Sequence, residues 1–167
     1  MTLRFGILTA SDRSARGERP DLSGPALDEL VRSRGWNVVR QTILPDDLKI
    51  LRETLVAWAD RGDLDIILIT GGTGFAPRDI TPEATRAVID REAPGLTEAM
   101  RQESLKVTPH AMLSRGVAGM RGKVLIIDLP GSPKAAVENL NVVLPVLAHA
   151  VELLRDEPDA EKHHSGN

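Results

Sequence analysis

Short runs of apolar residues alternate along the chain with longer segments in which apolar residues recur every three or four positions. The short runs predict buried strands, and the periodic segments predict amphipathic helices. Strands are expected at Leu3–Ala10, Trp36–Leu44, Leu64–Thr70 and Lys123–Leu129. The last two runs are continuous and mostly apolar, which is typical of parallel strands that are buried on both faces.

The helices are bounded by capping residues, glycines and prolines. They are predicted at Ser23 to Arg34, after Asp46 or Asp47 as far as Gly62, at Thr81 to Arg91, Leu96 to Val107, Ala111 to Arg115 and Pro133 to Arg155. Ser23 and Thr81 are expected at N-caps, and either Asp46 or Asp47 is expected to cap the helix after the second strand. Pro82 follows Thr81 at the first helical position, where proline is favoured.

This alternation of strands and helices predicts an α/β fold, a three-layer α/β/α sandwich with a mostly parallel sheet. No internal repeat or interior linker is visible, so residues 1–156 are expected to form a single domain. The polar tail at 157–167 is expected to be disordered.

Composition narrows the classes of function. The 167 residues carry a formal net charge of −3, which argues against a nucleic-acid partner bound through a basic face. Cysteine is absent, so the chain has neither a disulfide framework nor a thiolate nucleophile. No uninterrupted apolar run approaches the roughly 18 residues of a membrane span, and the first residues lack the layout of a signal peptide. A cytoplasmic protein without a membrane partner is therefore expected.

Parallel strands bring their carboxyl ends to one edge of the sheet, where ligands bind in open α/β folds. Four segments that follow predicted strands are expected to meet there, namely Thr9–Arg13, Pro45–Asp47, Gly71–Asp79 and Pro130–Lys134. The edge is therefore the predicted ligand site, although these segments lie far apart in the sequence.

The glycine-rich turn Thr70-Gly71-Gly72-Thr73-Gly74 leads through Arg78 and Asp79 to a helix start. Such turns can hold phosphate through backbone N–H groups, although this one matches neither a Walker A loop nor a dinucleotide-binding fingerprint. A tight turn that needs glycine for steric reasons is the competing interpretation. Asp79 and Asp46 together suggest a Mg²⁺ site, because Mg²⁺ favours one or two carboxylates with substrate phosphates. A helix cap is the alternative for Asp46, and a helix cap or an ion pair with Arg78 is the alternative for Asp79.

A second strand-to-helix turn, Pro130-Gly131-Ser132-Pro133, is predicted at the same edge. Its amides and the Ser132 hydroxyl are candidates for binding a nucleotide, and Lys134 is a candidate phosphate contact; an ordinary turn with a solvated lysine is the alternative. The histidines at 110, 149, 163 and 164 are expected to bind no metal. From spacing alone, the polar residues Gln102, Glu103, Ser104, Lys106 and Arg115 read as ordinary surface positions.

In combination, these motifs resemble the molybdopterin adenylyltransferases of the Mog type, which include the G-domains of plant and animal molybdenum-cofactor proteins such as gephyrin. The resemblance covers about residues 3–155. It is carried by Gly6-Ile7-Leu8-Thr9-Ala10-Ser11-Asp12, Asp21-Leu22-Ser23-Gly24-Pro25, Leu44-Pro45-Asp46-Asp47, the stretch from Thr70 to Thr85, Met100-Arg101-Gln102-Glu103-Ser104-Leu105, Ala111-Met112-Leu113-Ser114-Arg115 and Leu129 to Pro133.

The resemblance implies a homotrimer that transfers AMP from ATP to the terminal phosphate of molybdopterin with Mg²⁺, before a molybdate-inserting protein takes over the product. It implies that Asp46 and Asp79 are the functional aspartates and that they hold Mg²⁺. It also implies that Ser104 and Ser114 bind the pterin and that the turns at 71–74 and 130–133 serve the nucleotide. The implied binding residues are Thr9, Ser11, Asp12, Ser23, Gly24, Gly71, Gly72, Thr73, Gly74, Arg78, Ser104, Ser114, Pro130, Gly131 and Ser132.

Related MoaB-type proteins share the fold and the first glycine loop. Some of them lack the Pro-Arg-Asp-x-Thr-Pro-Glu-Ala-Thr continuation and are not competent in transfer, whereas this chain carries it from Pro77 to Thr85. The chain also lacks an insertion that some Mog proteins have after the turn at Pro133. A molybdopterin-binding protein without transferase activity and an unrelated nucleotide-binding enzyme stay open as alternatives.

Overall fold

A computed structural model describes residues 1–156 and contains a sheet of six strands. The tail at 157–167, which was expected to be disordered and which holds His163 and His164, lies outside the described residues. The strands are β1 Arg4–Ala10, β2 Asn37–Leu44, β3 Ile66–Thr70, β4 Arg91–Glu92, β5 Ala118–Arg121 and β6 Val124–Leu129. In space they follow the order β2-β1-β3-β6-β5-β4.

Residues 1–156 also contain six α-helices. They are α1 Asp12–Ala15, α2 Ser23–Ser33, α3 Leu48–Asp60, α4 Thr81–Arg86, α5 Pro94–Leu105 and α6 Pro133–Arg155, with a 3-10 turn at Pro109–Leu113. Strands β2, β1, β3 and β6 are parallel, whereas β5 is antiparallel to β6 and β4 is antiparallel to β5. The prediction of a mostly parallel α/β sandwich is confirmed.

Helices cover both faces of the sheet, and β3 shows why its sequence is apolar throughout. Ile66 and Leu68 pack into the core on the side of α2, α5 and α6. Ile67 and Ile69 point the other way, into the core beneath α3 and α4. Because successive side chains of a strand point to opposite faces, a central strand with both faces covered needs no polar position.

The sequence-based boundaries differ from the structure mainly between residues 81 and 122. Helix α4 ends at Arg86, not at Arg91, and Arg91 instead begins β4. Pro94 begins α5 and does not merely break the chain before it. The short strands β4 and β5 were not predicted, because neither has an apolar run long enough to distinguish it from a loop.

Two predicted N-caps are wrong and a third is resolved. The Asp21 carboxylate accepts hydrogen bonds from the Ser23 and Gly24 amides at 3.1 Å, so Asp21 and not Ser23 supplies the cap of α2. Thr81 lies inside α4, where its hydroxyl donates to the Gly71 carbonyl at 2.8 Å. Asp47 caps α3 by accepting from the Ile50 amide, which leaves Asp46 available for another role.

Helix α6 is, within residues 1–156, the one helix long and apolar enough to cross a membrane by length and composition, with a mean hydropathy of 1.4. Its buried side chains, Ala136, Leu140, Val143, Leu144, Leu147 and Val151, belong to the core against the sheet. A core helix passes the same test of length and composition, and α6 packs as one.

Candidate active site

The carboxyl ends of the four parallel strands meet at one edge of the sheet. Ala10 pairs with Leu44, Thr9 pairs with Thr70, and Thr70 pairs with Leu129. The segments that follow these strands therefore start side by side. The connection from β1 runs to β2 on one side, and the connection from β2 then crosses to β3 on the other side of β1, so this edge is the switch point at which α/β sheets bind ligands.

Asp46 and Asp12 are joined by a reciprocal pair of hydrogen bonds. The Asp12 amide donates to Oδ2 of Asp46 at 2.9 Å, and the Asp46 amide donates to Oδ1 of Asp12 at 3.0 Å. The Arg78 guanidinium holds this pair by donating to Oδ2 of Asp12 at 2.8 Å and to the Asp46 carbonyl at 3.2 Å. Arg78 is therefore paired with Asp12 and not with its neighbour Asp79, which removes one of the alternatives for that residue.

The second oxygen of Asp46, Oδ1, is buried and has no hydrogen-bond partner among residues 1–156. Burial raises the pKa of the Asp46 carboxyl, and the nearby carboxylates of Asp12 and Asp79 raise it further, against the hydrogen bond from the Asp12 amide. A buried acceptor without a donor is costly unless something else satisfies it. This site therefore suits a cation beside Asp46.

The glycines at 71 and 72 let the backbone turn where a side chain would not fit. Both have positive φ, at 98° and 65°. A Cβ on Gly72 would lie 2.5 Å from Oγ1 of Thr81 and 3.1 Å from Oδ1 of Asp46. The steric interpretation of the turn is thus correct for Gly72, and the close approach places the turn directly beside the Asp46 carboxylate.

The amides of Gly72, Thr73 and Gly74 donate no hydrogen bond within the described part of the chain, whereas the Gly71 amide donates to the Leu129 carbonyl at 3.2 Å. Three of the four amides in this turn are therefore available to a ligand, and that of Gly71 is used to extend the sheet. Asp79 does not cap α4; its Oδ2 accepts from the Ala76 amide at 3.0 Å, which closes the loop between them.

The turn at 130–132 is held against the glycine turn by side chains from two other elements. The Thr70 hydroxyl donates to the Pro130 carbonyl at 2.7 Å, and the Ser23 hydroxyl donates to the Gly131 carbonyl at 2.7 Å. The Ser132 hydroxyl caps α6 by accepting from the Ala135 amide at 3.4 Å. Lys134 is exposed and lies 3.8 Å from Glu138, in agreement with the solvated interpretation.

Two cavities lie on either side of these paired turns. The first, here called the acidic cavity, has a volume of about 500 Å³. Among the predicted site residues, its walls contain Thr9, Ser11, Ser23, Asp46, Gly71, Gly72, Asp79, Gly131 and Ser132. The second, the serine cavity, has a volume of about 270 Å³, and its walls contain Thr73, Gly74, Ser104, Ser114 and Pro130 from the same set.

The boundary between the cavities runs through both turns. Gly72 faces the acidic cavity and Thr73 the serine cavity; in the other turn Gly131 faces the first and Pro130 the second. In the serine cavity, Asn139 of α6 donates to Oγ of Ser104 at 2.9 Å and fixes that hydroxyl. A ligand that occupied both cavities would pass over the two turns.

Three predicted binding residues, Asp12, Gly24 and Arg78, lie in neither cavity wall. Asp12 and Arg78 hold Asp46, as described above. Gly24 provides space for its neighbours, since a Cβ there would lie 2.5 Å from Oδ2 of Asp21 and 2.7 Å from Nε2 of Gln41. These residues position or make room for residues of the cavity walls without lining a cavity themselves.

The side chain of Arg115, which sequence spacing alone predicts to lie at an ordinary surface position, contacts the site. Its side chain folds back onto the glycine-rich loop and donates to the carbonyls of Gly74 and Asp79 at 2.7 and 2.6 Å. Arg115 follows a short 3-10 turn and belongs to no periodic element, so nothing in the local pattern indicates where its side chain lies.

Asp21 lines the acidic cavity and Asp128 the serine cavity, and neither is among the predicted site residues, although each has a signal in the sequence. Asp21 stands three residues before Gly24, the spacing of a capping residue, and its Oδ2 accepts from the Thr9 hydroxyl at 2.8 Å. Asp128 is a lone acid inside the apolar strand β6. It accepts from the Thr85 hydroxyl at 2.6 Å and the Val117 amide at 2.9 Å, and burial raises its pKa to about 7.

Comparison with known sequences agrees with this arrangement. Residues 6–149 match the protein family described as "Probable molybdopterin binding domain". Over 155 residues the chain is 43% identical to the molybdopterin adenylyltransferase of Helicobacter pylori strain J99. The alignment covers 92% of this chain and 88% of that protein. It is 45% identical over 157 residues to the molybdenum cofactor synthesis protein cinnamon of Drosophila melanogaster, covering 93% of this chain.

The chain spans only 26% of the length of the Drosophila protein, so it corresponds to one part of that relative. Among solved structures, the molybdopterin biosynthesis enzyme MoaB of Thermus thermophilus superposes with a TM-score of 0.88 at 52% sequence identity. That superposition covers 93% of this chain and 98% of the other.

Proposed function

The chain belongs to the molybdopterin-binding domain family of molybdenum cofactor biosynthesis, and from this membership we propose that it is a molybdopterin adenylyltransferase. In the proposed reaction, an oxygen of the terminal phosphate of molybdopterin attacks the α-phosphorus of ATP. The bond between the α-phosphorus and the bridging oxygen breaks, and pyrophosphate leaves. The products are adenylyl-molybdopterin and pyrophosphate.

The structural observation that supports this proposal is the pair of cavities that meet at the two turns. The acidic cavity offers the carboxylates of Asp21, Asp46 and Asp79 and the unpaired amide of Gly72, which suit the phosphates of ATP with a cation. The serine cavity offers hydroxyl groups in a mainly apolar space, which suits a pterin ring. Because the cavities share the turns, phosphates from two ligands would meet over Gly72 and Gly131.

The reaction needs no protein nucleophile, because the attacking phosphate is already anionic. The work of the chain is to position two polyanions and to offset their charge. Asp46 and Asp79 would hold Mg²⁺, which when bound supplies the positive charge that this step requires. The buried, unpaired Oδ1 of Asp46 fits that role. Residues 1–156 contain no cluster of three or more His, Cys, Asp or Glu side chains suited to a metal, so substrate phosphates would have to supply further ligands.

A homotrimer, a cytoplasmic location and transfer of the product to a molybdate-inserting protein complete the proposal. They rest on the family resemblance. Light scattering tests the assembly: a trimer has three times the 18.1 kDa of one chain, and a monomer at micromolar concentration would contradict it.

The proposed roles of Asp46 and Asp79 are tested by pyrophosphate release from ATP, Mg²⁺ and molybdopterin. Asp46→Asn and Asp79→Asn should each lower turnover by about 10²–10³-fold, the usual effect of removing a preorganised electrostatic group. Asp47→Asn is the matched control, because Asp47 neighbours Asp46 in the chain but caps α3 outside the cavity, and asparagine preserves the cap. Near-normal turnover by either site variant would remove that carboxylate from the mechanism.

The close structural match to a MoaB protein supports a second candidate function, a molybdopterin-binding protein that transfers no AMP. Calorimetry with molybdopterin and with ATP separates the two candidates. Tight binding of the pterin without formation of an adenylylated product would favour the second.

A further inference from the structure

Arg115 joins two parts of the site that the chain keeps far apart. Its backbone amide donates to the Thr73 carbonyl at 2.8 Å, and its Nε donates to the Gly74 carbonyl at 2.7 Å. At the other end of the same loop, Nη2 donates to the Asp79 carbonyl at 2.6 Å. Arg115 therefore contacts both ends of the loop at residues 73–79, at Thr73 and Gly74 and at Asp79.

The guanidinium is itself fixed by α4. Nη1 of Arg115 donates to Oε1 of Glu83 at 2.5 Å, and the Arg115 side chain is 32% exposed. The planar fork of arginine can serve several acceptors in a fixed geometry, which the point charge of lysine cannot do. The distance between Gly74 and Asp79 is thus set by a rigid group anchored on a helix.

The backbone on both sides of Arg115 is tied to the serine cavity and the core. Ser114, the preceding residue, lines the serine cavity. Two residues later, the Val117 amide donates to the buried carboxyl of Asp128, which also accepts from Thr85 of α4. A displacement of the wall at Ser114 would therefore be transmitted to the loop that carries Asp79.

We infer that Arg115 is a positioning residue, which places Asp79 in the acidic cavity and couples that placement to the wall of the serine cavity. This inference rests on the proposed function for its catalytic consequence, but the placement of the loop is a property of the ligand-free chain. The two can be tested separately.

The ligand-free test is limited proteolysis with trypsin. Arg78 lies in the loop with an exposed side chain, so cleavage after Arg78 reports opening of the loop, and cleavage after the exposed Arg61 is the internal reference. Arg115→Gln should accelerate cleavage at Arg78 by about 10-fold or more, because it removes charge-assisted hydrogen bonds that close the loop. Cleavage at Arg61 should not change.

Arg121→Gln is the matched control. Arg121 also pairs with a carboxylate, Asp60, and donates to a carbonyl, that of Val88, but its side chain donates to no residue of the loop at 73–79. Glu83→Gln provides a milder variant that keeps Arg115 and its carbonyl contacts, so a smaller acceleration is expected even if Arg115→Gln folds poorly. Equal cleavage rates at Arg78 in wild type, Glu83→Gln and Arg115→Gln would overturn the inference.

The second readout is the Mg²⁺ concentration that gives half-maximal pyrophosphate release. Displacing Asp79 should raise that concentration by about 10–100-fold in Arg115→Gln, as for other residues that orient metal ligands. Arg115→Lys should recover little of the loss, because an ammonium cannot bridge Gly74 and Asp79 together. Full recovery by lysine would show that only charge matters and would overturn the positioning role. Inactive wild-type protein would contradict the proposed function, while proteolysis would still decide the role of Arg115.

Discussion

Asp46 and Asp47 are adjacent in the chain, yet they have different roles because β2 ends just before them. Asp47 faces the start of α3 and accepts a hydrogen bond from the Ile50 amide. Asp46 turns toward the sheet edge, where Asp12 binds one oxygen and the other is left buried without a donor. The sequence alone could not decide which of two neighbouring aspartates caps the helix, because both are good capping residues.

Asp128 is predicted to make folding stability depend on pH. Its pKa is raised to about 7 in the folded chain by burial, against 3.8 ordinarily. The folded state therefore binds more protons than the unfolded state between about pH 4 and 7, so stability falls as pH rises through that window. An asparagine in place of Asp128 would mimic the protonated carboxyl, with one oxygen acceptor and one donor group.

Urea unfolding of wild type and Asp128→Asn at several pH values measures this effect. The difference in free energy of unfolding between the two proteins should shift by about 2–3 kcal/mol in favour of the variant from pH 5 to pH 8. A difference that is constant over this range would show that Asp128 titrates normally in the folded chain.

At the scale of elements, the glycine turn is a junction at which β3, α4 and the Asp46 segment touch. An alanine in place of Gly72 would need positive φ and would drive a methyl group against Thr81 and Asp46. Gly72→Ala is expected to cost about 1–3 kcal/mol more than Gly62→Ala through overpacking. Gly62 is a suitable control, since its φ is also positive, at 80°, and a Cβ there has open space.

Thermal or urea unfolding of the two glycine variants checks this prediction, and the transfer assay adds a second readout. Gly72→Ala should also slow transfer, because Asp46 must move, whereas Gly62→Ala should change only stability. Equal stabilities for the two variants would mean that the turn adapts easily and does not fix the carboxylate.

The elements that the sequence predicts correctly are those whose pattern is local. The apolar strands β1, β3 and β6 and the start of α6 at Pro133 follow from adjacent residues alone. Strands β4 and β5 are too short to be predicted from their own sequences and are held by pairing, β5 with β6 and β4 with β5. Likewise, Arg115 is important because of residues some 40 positions earlier, which no spacing rule can reveal.

At the scale of the whole molecule, the parallel sheet brings four distant segments to one edge, as the sequence pattern predicts. Strand pairing places Ala10, Leu44, Thr70 and Leu129 next to each other, and the following turns form the common wall of two cavities. The division into two cavities was not predictable, because it depends on α5, α6 and the 3-10 turn enclosing the serine cavity. That division is what the proposed function relies on, with one ligand in each cavity.

The most direct test of this account follows the α-phosphate of ATP. The chain is incubated with Mg²⁺, molybdopterin and ATP labelled in the α-phosphate, in parallel with ATP labelled in the γ-phosphate. The account predicts that the α-label appears in the pterin product and the γ-label in pyrophosphate, with neither released when molybdopterin is omitted. Label that stays in ATP, or that is released as AMP, ADP or phosphate regardless of the pterin, would contradict adenylyl transfer by this chain.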